Sequence, residues 1–197
     1  MFTFSGHGPL CILIAFWLFV GSLITVVFIK YFFYKIVGIV YGMRPFNIIE
    51  DFWLCDLPIN PASIPAIFTF NKSDEDPRLY LDKILKKIKD RNINCNMKVE
   101  KKFGKYFLKP LNDTEHKEWR KTNTGIKDDI TNDDEAMVFM KKLKSLPGKS
   151  IGKNSAYVYY VPSMNNGTES AIISCAHHTH ADGFSAMQCI FEWSDDP

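Results

Sequence analysis

The chain has 197 residues, 46% hydrophobic and 23% charged, with 24 Lys and Arg against 22 Asp and Glu. This balance suits one globular domain with a short extension and excludes disorder, collagen-like repeats or coiled coil as a description of the whole. All 22 acidic residues lie after Arg44, and only Lys30, Lys35 and Arg44 are basic before Pro45; the nearly neutral remainder excludes a nucleic-acid protein driven by phosphate contacts.

Residues 10–29 form an uncharged run of 20 residues. As a helix it is about 30 Å long, the thickness of a bilayer hydrocarbon core. It has no polar face, so it reads as a membrane span rather than a core helix. A cleaved signal peptide is the competitor. Against it, residues 1–9 carry no Lys or Arg, the run is longer than a signal core of about 7–15 residues, and no small-x-small cleavage site follows.

Tyr31, Phe32, Phe33 and Tyr34 are the aromatic type enriched at the membrane interface. Residues 31–43 are too short to cross alone and read as interfacial or re-entrant. The expected division is an anchor at 1–44 and a soluble region at 45–197. Lys30, Lys35 and Arg44 flank the C-terminal side of the span, which places the soluble region in the cytosol. The expected location is the endoplasmic reticulum membrane, crossed once. Three sequons, at Asn71, Asn112 and Asn166, pull toward the lumen; the charge rule is given more weight in an Asn-rich chain. Five Cys without a C-x-x-C pair offer no zinc ribbon and no clear disulfide framework, and reduced thiols suit a cytosolic face.

Beyond the anchor, the Pro-rich stretch 45–67 predicts an extended connector leading into a strand at 66–70. Asp76-Pro77 reads as an N-cap with Pro at the first helical position. Leu81, Ile84, Leu85 and Ile88 then predict an amphipathic helix over 77–90. Its lysines suit a wet face better than a lipid or nucleotide patch. Residues 97–108, broken at Gly104, read as two strands with a turn. The polar stretch 112–130 reads as an irregular surface loop. Thr131 and Asp134 sit at capping-box spacing ahead of a helix over 131–143, with Ala136, Phe139, Met140 and Leu143 as its buried stripe. Strands are expected at 155–161 and 170–176, the second buried on both faces. A third helix is expected at 184–193. This order predicts an α/β (α+β, mixed-sheet layer) fold.

One segment carries chemistry. Cys175-Ala-His177-His178-Thr-His180-Ala-Asp182-Gly183 holds three of the five His of the chain, between a buried strand and a helix, where active-site loops often sit. In a metal reading, His178, His180 and Asp182 supply ligands with His177, but no matching remote cluster accompanies them, so no metal is expected. In a structural reading, His177 and His180 are satisfied core residues. In a catalytic reading, a neutral imidazole takes a proton from a hydroxyl near neutral pH, and Gly183 allows a turn or close approach that a Cβ would block.

His177-His178-Thr-His-Ala-Asp182-Gly183 fits the pattern HHxxxDG. It resembles that of the wax ester synthase/diacylglycerol acyltransferase family and of the wider CoA-dependent acyltransferase superfamily, which includes chloramphenicol acetyltransferase and condensation domains. Asp51-Phe-Trp53, with the strand and helix after it, resembles the family's N-terminal region, and the resemblance covers about residues 45–193. It implies a chloramphenicol acetyltransferase-like N-terminal subdomain behind a transmembrane helix. It implies His178 as general base toward the hydroxyl of a long-chain alcohol or diacylglycerol. Asp182 would hold the loop, Gly183 would keep the substrate channel open, and His177 would support the loop. Acyl-CoA would be a co-substrate with no bound cofactor, and membrane lipid, acyl-CoA and the acceptor alcohol would be the partners. Family members carry two similar subdomains, so the expectation is one subdomain of a longer O-acyltransferase or an inactive, truncated relative that acts as a membrane-anchored binding or interaction protein.

Overall fold

A computed structural model describes residues 8–47, 63–90, 96–146, 152, 154 and 156–177. The chain divides into two units, Met1–Pro45 and Phe46–Pro197.

The first unit is dominated by α1 (Gly8–Tyr41), one continuous helix of 34 residues. At 1.5 Å per residue it is about 51 Å long. It continues through Lys30, between the span expected at 10–29 and the segment at 31–43 expected to be interfacial or re-entrant. Its apolar side chains are spread around the whole circumference and nearly all are exposed. By length and composition it is a candidate membrane span. The few hydroxyls are satisfied within the helix: Ser22 Oγ donates to the Phe19 carbonyl (2.7 Å) and Thr25 Oγ1 to the Gly21 carbonyl (2.9 Å). The helix ends in a Schellman motif. Gly42, at φ +61°, donates to the Ile39 carbonyl (3.3 Å), and Met43 donates to the Gly38 carbonyl (2.7 Å). A Cβ on Gly38 would lie 2.6 Å from the Met43 carbonyl oxygen, so the returning chain needs glycine there. The two-residue extended segment β1 (Arg44–Pro45) follows.

The second unit is built on a four-stranded sheet in the order β2-β7-β6-β5, formed by β2 (Ser63–Asn71), β7 (Glu169–His177), β6 (Tyr157–Met164) and β5 (Thr124–Ile126). β2 and β6 flank β7 antiparallel, and β5 runs parallel to β6. Pro65 lies on β2, where an edge strand tolerates a missing donor.

Two layers of helix cover this sheet. On one face, α2 (Pro77–Asp90) buries Leu81, Ile84, Leu85 and Ile88, and α3 (Asp113–Asn123) buries Trp119, against Val158, Tyr160 and Ile172. On the other, α4 (Asp133–Ser145) buries Ala136 and Leu143 against Val161, Ala171, Ile173 and Cys175. β7 thus sends alternate residues into two cores, which is why its sequence is apolar without a polar face. Each large aliphatic side chain buried in these layers contributes about 1.5–3 kcal/mol. A register shift between Val161 and Met164 breaks the alternation, so Met164 joins the same core as Val161.

The strands β3 (Met97–Lys102) and β4 (Lys105–Pro110) form an antiparallel hairpin, closed by Phe103 (φ 49°) and Gly104 (φ 78°) as the tight turn. Phe46, Val99 and Leu108 make a smaller third core beneath it.

α2 and its Asp76 cap agree with the sequence expectation: Asp76 Oδ1 accepts from the amides of Arg78 and Leu79. The stretch 112–130 does not. It contains α3, β5 and a short turn instead of an irregular loop. Asn112 opens α3 with a full capping box, its side chain accepting from the Glu115 amide (2.9 Å) while Glu115 accepts from the Asn112 amide (3.1 Å). Trp119 Nε1 donates to the Ala156 carbonyl (2.8 Å) and holds α3 on the sheet. The cap of α4 is also shifted by one residue: Asn132, not Thr131, accepts from the Glu135 amide. Thr131 instead donates to the Glu135 carboxylate through both amide and hydroxyl. The third helix expected at 184–193 lies outside the described residues.

Candidate active site

β7 has a core on both faces and a neighbour on both sides as far as Cys175, and its last two residues, Ala176 and His177, pair with β2. Cys175 sits between Pro65 of β2 and Tyr157 of β6, and His177 ends the strand opposite Ser63. His177 is 1% exposed. Its register position puts it on the same face as Ala171, Ile173 and Cys175, the α4 side of the sheet. The first histidine of the motif is therefore fixed by the strand rather than carried on a free loop. His178, His180, Asp182 and Gly183 lie outside the described residues.

The electrostatics of this strand end exclude one chemistry. Cys175 is two residues before His177 on the same face, a spacing that invites a thiol–imidazole pair. Burial pushes the Cys175 thiol up to about 11, with Lys144 pulling only weakly in the other direction. At neutral pH the sulfur is a protonated, packed thiol and not a nucleophile. Burial also raises the phenols of Tyr157 and Tyr159, so they are neutral.

A second feature carries chemistry that the sequence reading did not single out. His116 is buried on α3, against Trp119 at 5.5 Å between ring centres. The signal for it was the Asn112…Glu115 spacing, which starts a helix and brings His116 and Trp119 onto one face.

No protein-family model matches the chain, and no curated protein matches it. Solved structures do match in fold. The wax ester synthase/diacylglycerol acyltransferase from Marinobacter aquaeolei VT8 superposes with a TM-score of 0.53 at 16% identity, over 74% of this chain and 36% of that one. The starter condensation domain of rhizomide synthetase RzmA gives 0.57 at 9% identity, over 75% of this chain and 35% of the domain chain. A variant of that domain in complex with C8-CoA gives 0.58 at 10% identity, over 78% and 35%. The chain spans about a third of the length of these structures. It has the fold of a wax ester synthase-like N-terminal half, a mixed α/β sheet shared with condensation domains.

Proposed function

We propose that the chain is the N-terminal part of a membrane-anchored O-acyltransferase that moves a fatty acyl group from acyl-CoA to a long-chain alcohol or diacylglycerol. The observation that carries this reading is the position of the motif: His177 ends the buried central strand β7, in a fold shared with acyltransferases, and His178, Asp182 and Gly183 follow directly in sequence.

In this reading His178 takes the proton of the acceptor hydroxyl as its oxygen attacks the thioester carbonyl. The carbon–sulfur bond then breaks, and the proton passes to the departing CoA thiolate, leaving an ester and free CoA. His177, locked in the sheet, positions the loop. Asp182 holds that loop, and Gly183 leaves room for substrate at the turn. The structural neighbour bound to C8-CoA supports acyl-CoA as the donor.

The location proposed is the endoplasmic reticulum membrane, with the soluble unit on the cytosolic side, where acyl-CoA is made. The apolar α1 and the flanking Lys30, Lys35 and Arg44 support it. Such an anchor keeps the site beside its apolar acceptor.

The test is acyl transfer in membranes that express the whole natural protein, with labelled acyl-CoA and either hexadecanol or diacylglycerol. Removing a general base costs about 10²–10⁴-fold in rate. His178→Ala is expected to lose at least the lower figure. Turnover unchanged in that variant overturns the assignment, and acyl-CoA binding without any turnover in the parent points to the binding-protein alternative.

A further inference from the structure

We propose that the cleft between α2 and α3 is a binding site for a ligand bearing a phosphomonoester. This inference is independent of the acyl-transfer reading: it concerns the outer helical layer and uses no residue of the histidine motif.

The cleft has a volume of about 490 Å³, within the range of about 300–1,000 Å³ typical of small-molecule sites. Two ion pairs cross it, Arg120 with Asp82 and Lys89 with Asp113 (3.3 Å). Lys86 from α2 and Lys117 from α3 also line it and have no carboxylate partner among the described residues. The cleft therefore carries two positive charges in excess, and a phosphomonoester carries close to two negative ones near neutral pH.

A wet helix face explains exposed lysines. It does not explain His116, which also lines the cleft. His116 is 7% exposed, and its Nε2 is buried with no hydrogen-bond partner among the described residues. Leaving such an atom unpaired is unfavourable and rare in native proteins, and it asks for an explanation. Rotation about the imidazole's soft second torsion is the step by which Nε2 would reach the cleft. There it can donate to a phosphate oxygen while the Arg120 guanidinium and the lysine ammoniums supply charge-assisted hydrogen bonds. Burial first, and then Lys89 and Arg120, hold the His116 pKa below its ordinary value, with Asp113 opposing them. An anion seated among these groups cancels the repulsion and lets the ring take up a proton.

The phosphomonoester could come from a soluble metabolite or from a lipid headgroup. The experiment separates the two. The full chain, labelled at histidine, is reconstituted in phosphatidylcholine nanodiscs and followed by NMR at the His116 imidazole, against glycerol 3-phosphate and against inorganic phosphate. Parallel samples use nanodiscs containing phosphatidic acid. A saturable shift with glycerol 3-phosphate, with an upward move of the His116 pKa, supports the site with a soluble ligand. The same change only with phosphatidic acid supports it with a lipid ligand. Lys86→Gln with Lys117→Gln alters exposed positions, and its fold is checked by the dispersion of the same spectra. It is expected to weaken binding by about tenfold or more, or about 1.4 kcal/mol. No shift with any phosphate source overturns the proposal. So does a shift reproduced by sodium chloride at matched ionic strength, or one that survives undiminished in the double variant.

Discussion

At the residue scale, Asn112 does the most with the least. Its side chain and that of Glu115 satisfy two helix-end amides reciprocally and so decide where α3 begins. Asn112→Ala should destabilise the second unit by about 1 kcal/mol, read as a lower midpoint in chemical denaturation at unchanged slope. Trp119 is the anchor that this start brings into place. Trp119→Ala removes a buried ring and leaves the Ala156 carbonyl without its indole donor, so a loss of about 3–5 kcal/mol is expected in the same measurement. Both residues were visible in the sequence, but the helix was not. Only His116 and Trp119 of its 11 residues are buried, too few to make a periodic apolar stripe, and the Asn-Asp-Thr triplet that caps it also reads as a glycosylation sequon.

At the scale of elements, the hairpin β3–β4 is tied to the start of α3 by a charged cluster. Lys98 bridges Glu100 (3.0 Å) and Glu115, and Lys109 reaches Glu100 (3.5 Å). Lys98 holds the Glu115 carboxyl below its usual range mainly by its hydrogen bond, against a smaller effect of burial. For Glu100, burial alone would raise the pKa, but the Lys98 hydrogen bond and the Lys109 charge together bring it down. Lys98 is the mirror case: burial works against its charge, and the two carboxylates together raise its pKa. The signs then follow. The depressed carboxylates contribute stability that is complete above their unfolded pKa of about 4.5 and is lost as pH falls through the lower folded values. The raised Lys98 contributes stability that is complete below about 10.5 and is lost as pH rises through its folded value. Thermal unfolding against pH should show acid destabilisation that is clearly shallower in Lys98→Met, which removes the cation but keeps most of the stem. An unchanged acid limb in that variant would mean the cluster adds nothing.

The strands were legible for a different reason from the helices. The run from Ala171 to Cys175 has no polar alternation because α2 and α4 bury opposite faces of it, and that pattern exists in the letters alone. β5 was not legible. It has three residues, and its parallel partner Val158-Tyr-Tyr160 lies more than thirty positions away. No local pattern announces such a pairing.

At the scale of the whole molecule, the sequence reads as an anchor over 1–44 and a region over 45–197, and the two compact units of the structure are Met1–Pro45 and Phe46–Pro197. The orientation argument can be checked directly. On the cytosolic reading, the protein expressed in a eukaryotic cell should show no shift in gel mobility after endoglycosidase H, although Asn71, Asn112 and Asn166 are all exposed. A shift would place the second unit in the lumen. The histidine motif was legible as letters because its spacing is short. The α2–α3 cleft was not, because its ion pairs join residues 24 and 38 positions apart and only the packing of two helices brings them together.

The packed thiol of Cys175 has one more consequence. It lies on the strand that carries the motif, 2% exposed and protonated at neutral pH, so a thiol reagent can reach it only when the sheet opens. With the other four cysteines replaced, its labelling rate becomes a clock for that opening. The rate compared with that of an unfolded control gives the free energy of local unfolding beneath the histidine motif. The protein thus carries its own reporter of how firmly the strand end beneath its histidine motif is held, one that works in a native membrane and needs no substrate.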